Sequence, residues 1–297
     1  MWTKHAKIVG VSLSIYLAVV TFINIRKRRK HDRLKALSHQ KGFKVAICGA
    51  GIAGICMGVK LKQLGIPFTI YEKNKDLGGT WLENVYPGSG CDIPSHFYSY
   101  SFFLNPNWSR IWPKRDEIIA YLESAVDAFH LRSHIKFNTS ITDSVWDGKH
   151  WIMTCRNEST QHESTRTCNV FISAVGQLNV PSIPSGISGA ELFKGDIFHT
   201  ARWKTGVDLN DKCVLGVGTG PSAIQAFPEI AKNAKKLTVV QRSPVYVLEK
   251  PDRVYWEFEK FLNRICPPLL WLRRINVGLM PDLVFPILFQ KDSSDAN

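Results

Sequence analysis

Two short glycine-rich stretches carry the chemistry that this chain's residue types and spacings allow. Residues 49–54 read GAGIAG, with Gly49, Gly51 and Gly54 in the order G-x-G-x-x-G. Glycines so spaced let the backbone turn tightly, come close to a pyrophosphate and pack a helix against a strand. The first helical residues, here Ile52 and Ala53, then offer backbone N–H groups and partial positive charge to the phosphates. Glu72 follows Gly51 by 21 residues, the place from which an acid accepts hydrogen bonds from ribose hydroxyls. The alternative for Glu72 is a solvated acid at a strand end. The second stretch, residues 218–223, reads GTGPSA, a G-x-G-x-x-A built from Gly218, Gly220, Pro221, Ser222 and Ala223. The strand after it runs into Gln241-Arg242-Ser243 instead of an acid. An arginine there can hold the 2′-phosphate of NADP, although Arg242 also reads as an ordinary surface residue. Two cradles of different type suggest two different dinucleotides.

Two further stretches stand out. Residues 78–92, GGTWLENVYPGSGCD, pair Gly78 with Gly79 ahead of Thr80 and Trp81, and place Asp92 just past a Pro87–Gly88 turn. Trp81 and Tyr86 are flat side chains that could lie beside a ring system; the alternative is a surface loop with buried aromatics. Residues 193–204, FKGDIFHTARWK, set Phe193, Gly195, His199 and Trp203 at F-x-G-x-x-x-H-x-x-x-W. No histidine, cysteine pair or acid lies at ligand spacing from His199. The seven cysteines are scattered without a C-x-x-C. No metal site is therefore expected, and the usage suits a reducing compartment.

The elements that must position these residues follow from periodicity. Phe43–Cys48 reads as a buried strand, Ile52–Leu64 as a helix ended by Gly65, and Pro67–Tyr71 as a second strand. The second cradle has the same surroundings, with a strand before it, a helix from about Ser222 and the strand Lys236–Val240. Residues 115–129 read as an amphipathic helix. Ile135–Phe137, Ile141–Trp146 and Trp151–Cys155 read as strands of a small antiparallel layer. The fold class is α/β, with two Rossmann-like units.

The 297 residues suffice for two domains. The formal charge of +13 is concentrated, since residues 1–35 hold nine Lys/Arg and one acid. The remainder has no basic run, which argues against nucleic-acid binding. Residues 8–25 carry no charge. As a helix they would be about 27 Å long, and the RKRRK that follows orients such a span with the body in the cytosol. The expectation is an uncleaved single-pass anchor, with a signal peptide as the alternative.

The order GAGIAG, GGTWLENVYPGSGCD, VFISAVGQLNVPSIP, FKGDIFHTARWK and GTGPSAIQ…QRSP resembles the flavin-dependent monooxygenases, and most closely the Baeyer–Villiger monooxygenases. The resemblance runs from about Phe43 to Val247. It implies FAD at the first cradle and NADPH at the second. It also implies a flavin peroxide that inserts one atom of O2 into a ketone or oxidises a soft heteroatom. Carried over residue by residue, Asp92 is a catalytic residue that faces the arginine beside the flavin, and His199 couples domain movement to cofactor positioning; the alternative for His199 is that it only satisfies local backbone. Lys204 after Trp203 and Ser89 after Tyr-Pro-Gly depart from the family's pattern. Trp203 and the GGTW block favour this branch over the N- and S-oxygenating flavin monooxygenases.

The implied organisation is an anchor (1–25), a basic linker (26–42), the first half of an FAD domain (43–178), a connection (179–203) and part of an NADP domain (204–297). The membrane would be that of the endoplasmic reticulum. In the resembled family the FAD domain resumes after the NADP domain. The second half, with the arginine that serves the flavin, is expected beyond Asn297. The competing expectation is an inactive, nucleotide-binding fragment.

Overall fold

The computed structural model describes residue 36 and residues 42–288, except 179, 184–187, 248 and 249. The described residues fall into two compact units, divided at Asp76/Leu77, His130/Leu131 and Ala174/Val175.

The first unit is built on a parallel sheet. Strand β1 (Val45–Cys48) leads to helix α1 (Ile52–Gln63) and strand β2 (Phe68–Tyr71). The sheet order is β3-β2-β1-β7, with β3 at Ile135–Lys136 and β7 at Val170–Ser173. Pairing runs from Val45↔Phe68 to Cys48↔Tyr71 on one side of β1, and from Val45↔Val170 to Cys48↔Ser173 on the other. Val45, Ala46 and Ile47 are consecutive and all buried, as expected where both faces of a parallel sheet are covered. Helix α1 covers one face through Ile55 and Val59, both fully buried. Gly58 brings it close, since a Cβ there would stand 2.9 Å from Ile70 Cδ1.

A second, antiparallel sheet of this unit has the order β4-β5-β6: Thr139–Trp146, Trp151–Asn157 and Glu163–Cys168. Met153, Cys155 and Cys168 on it form a core with Ala46 and Tyr71. The antiparallel layer expected from sequence is present with one correction. Ile135–Lys136 pairs parallel with Ile70–Tyr71 and so belongs to the first sheet. Strand β6 (ESTRTC) went unread because only Cys168 of its six residues is buried.

In the second unit, helix α2 (Thr80–Glu83) and helix α3 (Arg115–Ala128) precede a parallel pair of strands. Helix α3 buries Ile118, Tyr121, Leu122, Ala125 and Val126, the i, i+3, i+4, i+7, i+8 stripe of an amphipathic helix. Strands β8 (Cys213–Val217) and β9 (Lys236–Val240) pair from Cys213↔Lys236 to Val217↔Val240, with helix α4 (Pro221–Ala231) between them. Helices α5 (Glu257–Ile265) and α6 (Pro267–Leu288) follow.

Among the described residues, no helix is long and apolar enough to cross a membrane. Helix α6 has the length, but it carries Arg273, Arg274 and Asp282. The expectation of a single-pass membrane protein is corrected accordingly. The segment 8–25 that carried it lies outside the described residues.

Candidate functional site: two phosphate cradles and the loops around them

The first cradle joins β1 to α1. Gly49 has φ +105°, a conformation open to glycine, and its N–H donates to Tyr71 O at 2.8 Å. Gly51 caps α1, its carbonyl accepting from Ile55 N at 3.0 Å. Gly54 leaves no choice of residue, since a Cβ there would lie 1.9 Å from the Gly49 carbonyl oxygen. Helix against turn is thus as tight as backbone allows. Ile52 is half-buried and Ala53 exposed at the open end of α1, which has no acid in its first turn and Lys60 and Lys62 in its last.

Glu72 is buried, with 3% of its surface exposed. Its Oε2 accepts from Ala50 N at 2.7 Å and its Oε1 from Asn74 N at 2.9 Å. The acid therefore ties the cradle's turn to the end of β2, which excludes the reading of Glu72 as a solvated acid. A carboxylate has about four acceptor positions, so room remains for ribose hydroxyls. Burial, and then the charges of Glu72 and Cys155, push the Cys48 thiol up.

The second cradle repeats the first. Gly218 has φ +94° and its N–H donates to Val240 O at 2.8 Å. Gly220 caps α4, accepting from Ala223 N and Ile224 N, and Pro221 and Ser222 open the helix. Ala223 is buried. Strand register makes the two turns correspond: Cys48 pairs Tyr71 before Gly49 and Glu72, and Val217 pairs Val240 before Gly218 and Gln241. Gln241 thus stands in the place of Glu72, and Arg242 in that of Lys73. Arg242 and Ser243 are exposed. Where the first cradle has a carboxylate, the second has a neutral amide followed by a guanidinium.

The 78–92 stretch belongs to the same unit as the second cradle. Gly79, with φ +55°, caps the short helix α2, and Thr80 is exposed at its start. Trp81 is buried and donates from Nε1 to Tyr98 Oη at 3.0 Å, edge-on at 5.7 Å between ring centroids. Tyr98, mostly through burial, is pushed up to about 12. Tyr86 is also buried and donates from its hydroxyl to Gln225 Oε1 at 2.9 Å. Both rings are therefore taken up by protein, Trp81 against Tyr98 and Tyr86 against Ala226 and Ile230 of α4. Asp92 is exposed. Its charge acts on Lys250, whose Nζ donates to Cys91 O at 2.7 Å and sits 4.7 Å from the centre of the Trp112 ring.

Gln225 is the functional side chain that spacing does not show. Its Oε1 accepts from Tyr86 Oη and from Gly90 N (3.3 Å), and its Nε2 donates to Gly90 O at 2.8 Å. Gly88 packs on the same residue, because a Cβ there would lie 2.3 Å from Gln225 O. The amide thus clamps the Tyr86–Gly90 loop onto the first turns of α4. The available signal was its place as the last residue of GTGPSAIQ.

The fingerprint around His199 docks on this assembly. His199 Nδ1 accepts from Ala201 N at 3.0 Å and caps the turn Thr200–Arg202. Arg202 pairs with Glu83 of α2 at 2.9 Å. Trp203 stands edge-on to Phe198 and packs on the cluster of Tyr86, Ala226 and Ile230. The Phe-x-Gly start has a steric cause, since a Cβ on Gly195 would lie 2.6 Å from the Phe193 ring. Lys204, a departure from the family's pattern, pairs with Asp196.

Residues 42–270 match the model of the family described as "FMO-like: Flavin-binding monooxygenase-like". A Baeyer–Villiger monooxygenase of Streptomyces coelicolor is 40% identical over 232 residues, 78% of this chain and 44% of that protein. Among solved structures, OTEMO in complex with FAD and NADP is similar with a TM-score of 0.69 and 32% identity, covering 77% of this chain and 44% of that one. Oxidised steroid monooxygenase bound to NADP matches with a TM-score of 0.67 and 36% identity, covering 75% and 43%. The chain spans less than half the length of these relatives. It shares an α/β fold with these structures, and it belongs to the flavin-binding monooxygenase-like family.

Proposed function

We propose that this chain is the nucleotide-binding part of an FAD- and NADPH-dependent monooxygenase that inserts one oxygen atom of O2 into a ketone. The observation that carries this reading is the pair of register-matched cradles that differ in charge at one place, Glu72 in one and Gln241-Arg242 in the other. The first cradle fits FAD. Gly54 admits no side chain, and the Glu72 carboxylate is fixed beside the turn with acceptor capacity for a ribose. The second fits NADPH, because neutral Gln241 takes the acid's place and the Arg242 guanidinium follows it, so a 2′-phosphate meets a cation and no carboxylate. The bound flavin, reduced by NADPH, supplies the oxygen chemistry.

The chain's own residues orient and hold. Gly49, Gly51, Ile52, Ala53 and Gly54 present backbone to the pyrophosphate of FAD. Gly218, Gly220, Pro221, Ser222 and Ala223 do so for NADPH, with Arg242 and Ser243 on its 2′-phosphate. Gly79, Thr80, Trp81 and Asp92 complete the set, with Gln225 fixing their loop. His199 acts through the turn it caps, which joins the connection 179–203 to α2 and α4. Residues 43–178 are read as the FAD domain and 204–297 as the NADP domain. Trp203 and the GGTW block, which resemble the Baeyer–Villiger branch, favour ketone over heteroatom oxidation.

The test is fluorescence titration of the purified chain with FAD, followed by titration with NADPH and NADH. FAD is expected to quench on binding, and Gly51→Val to abolish this by placing a branched side chain at the pyrophosphate. No quenching in the wild-type chain, or quenching that survives Gly51→Val, would overturn the assignment of the first cradle.

A further inference from the structure

A cleft of about 220 Å³ lies within the first unit, lined by no residue of its glycine turn, where the antiparallel sheet meets the edge of the parallel one. Its volume is below the roughly 300–1,000 Å³ of sites for drug-sized ligands, which limits it to a small ligand. Two cross-strand pairs form its walls, Tyr71 with Lys136 on β2–β3 and Cys155 with Ser164 on β5–β6. Arg166 lies two residues beyond Ser164, so the period of a strand puts both on one face, and His162 lines the same cleft.

The lining is one-sided in charge. It contains Lys136, Arg166 and His162 and no carboxylate. Lysine and arginine only donate, and the hydroxyls of Tyr71 and Ser164 can donate as well. Among the described residues, neither Lys136 nor Arg166 is held by an ion pair. Lys136 Nζ stands 5.9 Å from the centre of the Tyr71 ring, and Arg166 lines the facing wall. Burial pushes the Cys155 thiol up, and Arg166 and then Lys136 pull it back. Arg166 also acts on Tyr71 in the opposite wall. Two cations lining one cleft that holds no carboxylate repel each other unless an anion joins them.

We propose that this cleft binds a small oxyanion of the phosphate type, free or as a monoester, between Lys136 and Arg166. Arg166 supplies a two-pronged donor, Lys136 a point charge from the facing strand, and the two hydroxyls the remaining donors. This site is separate from the dinucleotide cradles, and its occupation ties β3 to β6.

The experiment is calorimetric titration of the purified chain with inorganic phosphate, and separately with glycerol phosphate, at constant ionic strength. Each is repeated with excess FAD and NADP. One saturable site is expected, unaffected by the dinucleotides. It should weaken roughly 10- to 100-fold in Arg166→Gln and again in Lys136→Gln, from the loss of one charge-assisted bond each. Both positions are exposed, so circular dichroism is expected to show the native fold in both variants. Tighter binding of either probe supports the site and identifies the free ion or the monoester as its ligand. Absence of saturable binding, full binding in both variants, or displacement by FAD or NADP would overturn the proposal; displacement would place the phosphate in a cradle.

Discussion

Replacing Glu72 by glutamine keeps the side chain's size and removes its charge, which separates two roles for this acid. In the folded chain its two oxygens accept from Ala50 N at 2.7 Å and Asn74 N at 2.9 Å. Glutamine has one acceptor oxygen, and its NH₂ must face one of these two N–H donors. The loss therefore has two parts. A hydrogen bond to a charged group, worth about 1.5–3 kcal/mol, becomes a neutral one of about 0.5–1.5 kcal/mol. The other bond is lost, and its buried donor is left unsatisfied at about 1–3 kcal/mol. Together these suggest a destabilisation of about 2–4 kcal/mol before any ligand is added. For a chain of this size that is a fall in Tm of roughly 3–6 °C. The assay is a thermal melt of the cofactor-free chain followed by circular dichroism, beside an FAD titration. A Tm within about 2 °C of wild type, below what that range allows, together with lost FAD affinity, would refute the clamp. Glu72 would then act on the ligand alone.

Gly54→Ala forces a Cβ to within 1.9 Å of the Gly49 carbonyl, so the cost should reach or exceed the upper end of the roughly 1–3 kcal/mol usual for overpacking; an unchanged urea midpoint would show that the turn yields freely. Arg242→Ala should reduce the preference for NADPH over NADH by roughly 10- to 100-fold, and an unchanged ratio of affinities would return Arg242 to the solvated surface. Gln225→Ala removes the bonds to Tyr86 and to both sides of Gly90, and should cost about 2–4 kcal/mol in urea unfolding; less than about 1 kcal/mol, a single bond's worth, would mean that the loop holds itself. His96 is buried and its Nε2 has no partner among the described residues, and burial and then Arg273 lower its pKa from 6.5 to about 4. The unfolded chain thus takes up a proton below about pH 6.5 that the folded chain refuses until about pH 4. Stability should fall across that window by up to about 3 kcal/mol more in wild type than in His96→Phe, and parallel pH profiles would refute it.

Much of the first unit was legible because its signals are local. GAGIAG sits between a buried apolar strand and a helix, and the structure starts α1 at Ile52 and ends β2 at Tyr71. Strand β9 has the expected bounds, Lys236–Val240. What local pattern cannot carry is pairing. Ile135–Lys136 looked like the start of the antiparallel layer because it adjoins β4 in sequence, yet its partner is β2, more than sixty residues earlier. The grouping of residues 77–130 with 175–297 was equally invisible. It rests on contacts such as Gln225 to Gly90 and Arg202 to Glu83, each over a hundred residues apart. Trp81 and Tyr86 read as flat faces available to a ring, and the structure spends both on Tyr98 and Gln225. Aromatic type shows that a surface will be covered; what covers it depends on the tertiary contacts.

Under the proposed assignment, little sequence separates one dinucleotide preference from another. Their turns share the positive φ of Gly49 and Gly218, the 2.8 Å bond from that glycine to the end of the next strand, and a cap at the second glycine. Backbone geometry of this kind recognises a pyrophosphate and is blind to the rest of the molecule. Discrimination falls to the residue one step past the paired strand end. A buried carboxylate there, as at Glu72, is held by two backbone donors and cannot move aside for a second phosphate. Placing a phosphate near −2 beside it costs repulsion in a poorly solvated place. With Gln241 at that position the repulsion disappears, and Arg242, matched to Lys73 of the first cradle, supplies a forked guanidinium beside an uncharged neighbour. On this reading Glu72 has two effects from one set of bonds: it fixes the turn that holds FAD's pyrophosphate, and it keeps a 2′-phosphorylated nucleotide out of that turn. The loss of charge in Glu72→Gln should then relax both together, whereas Gly54→Ala, which leaves the carboxylate in place, should loosen the turn and leave the discrimination against NADP intact.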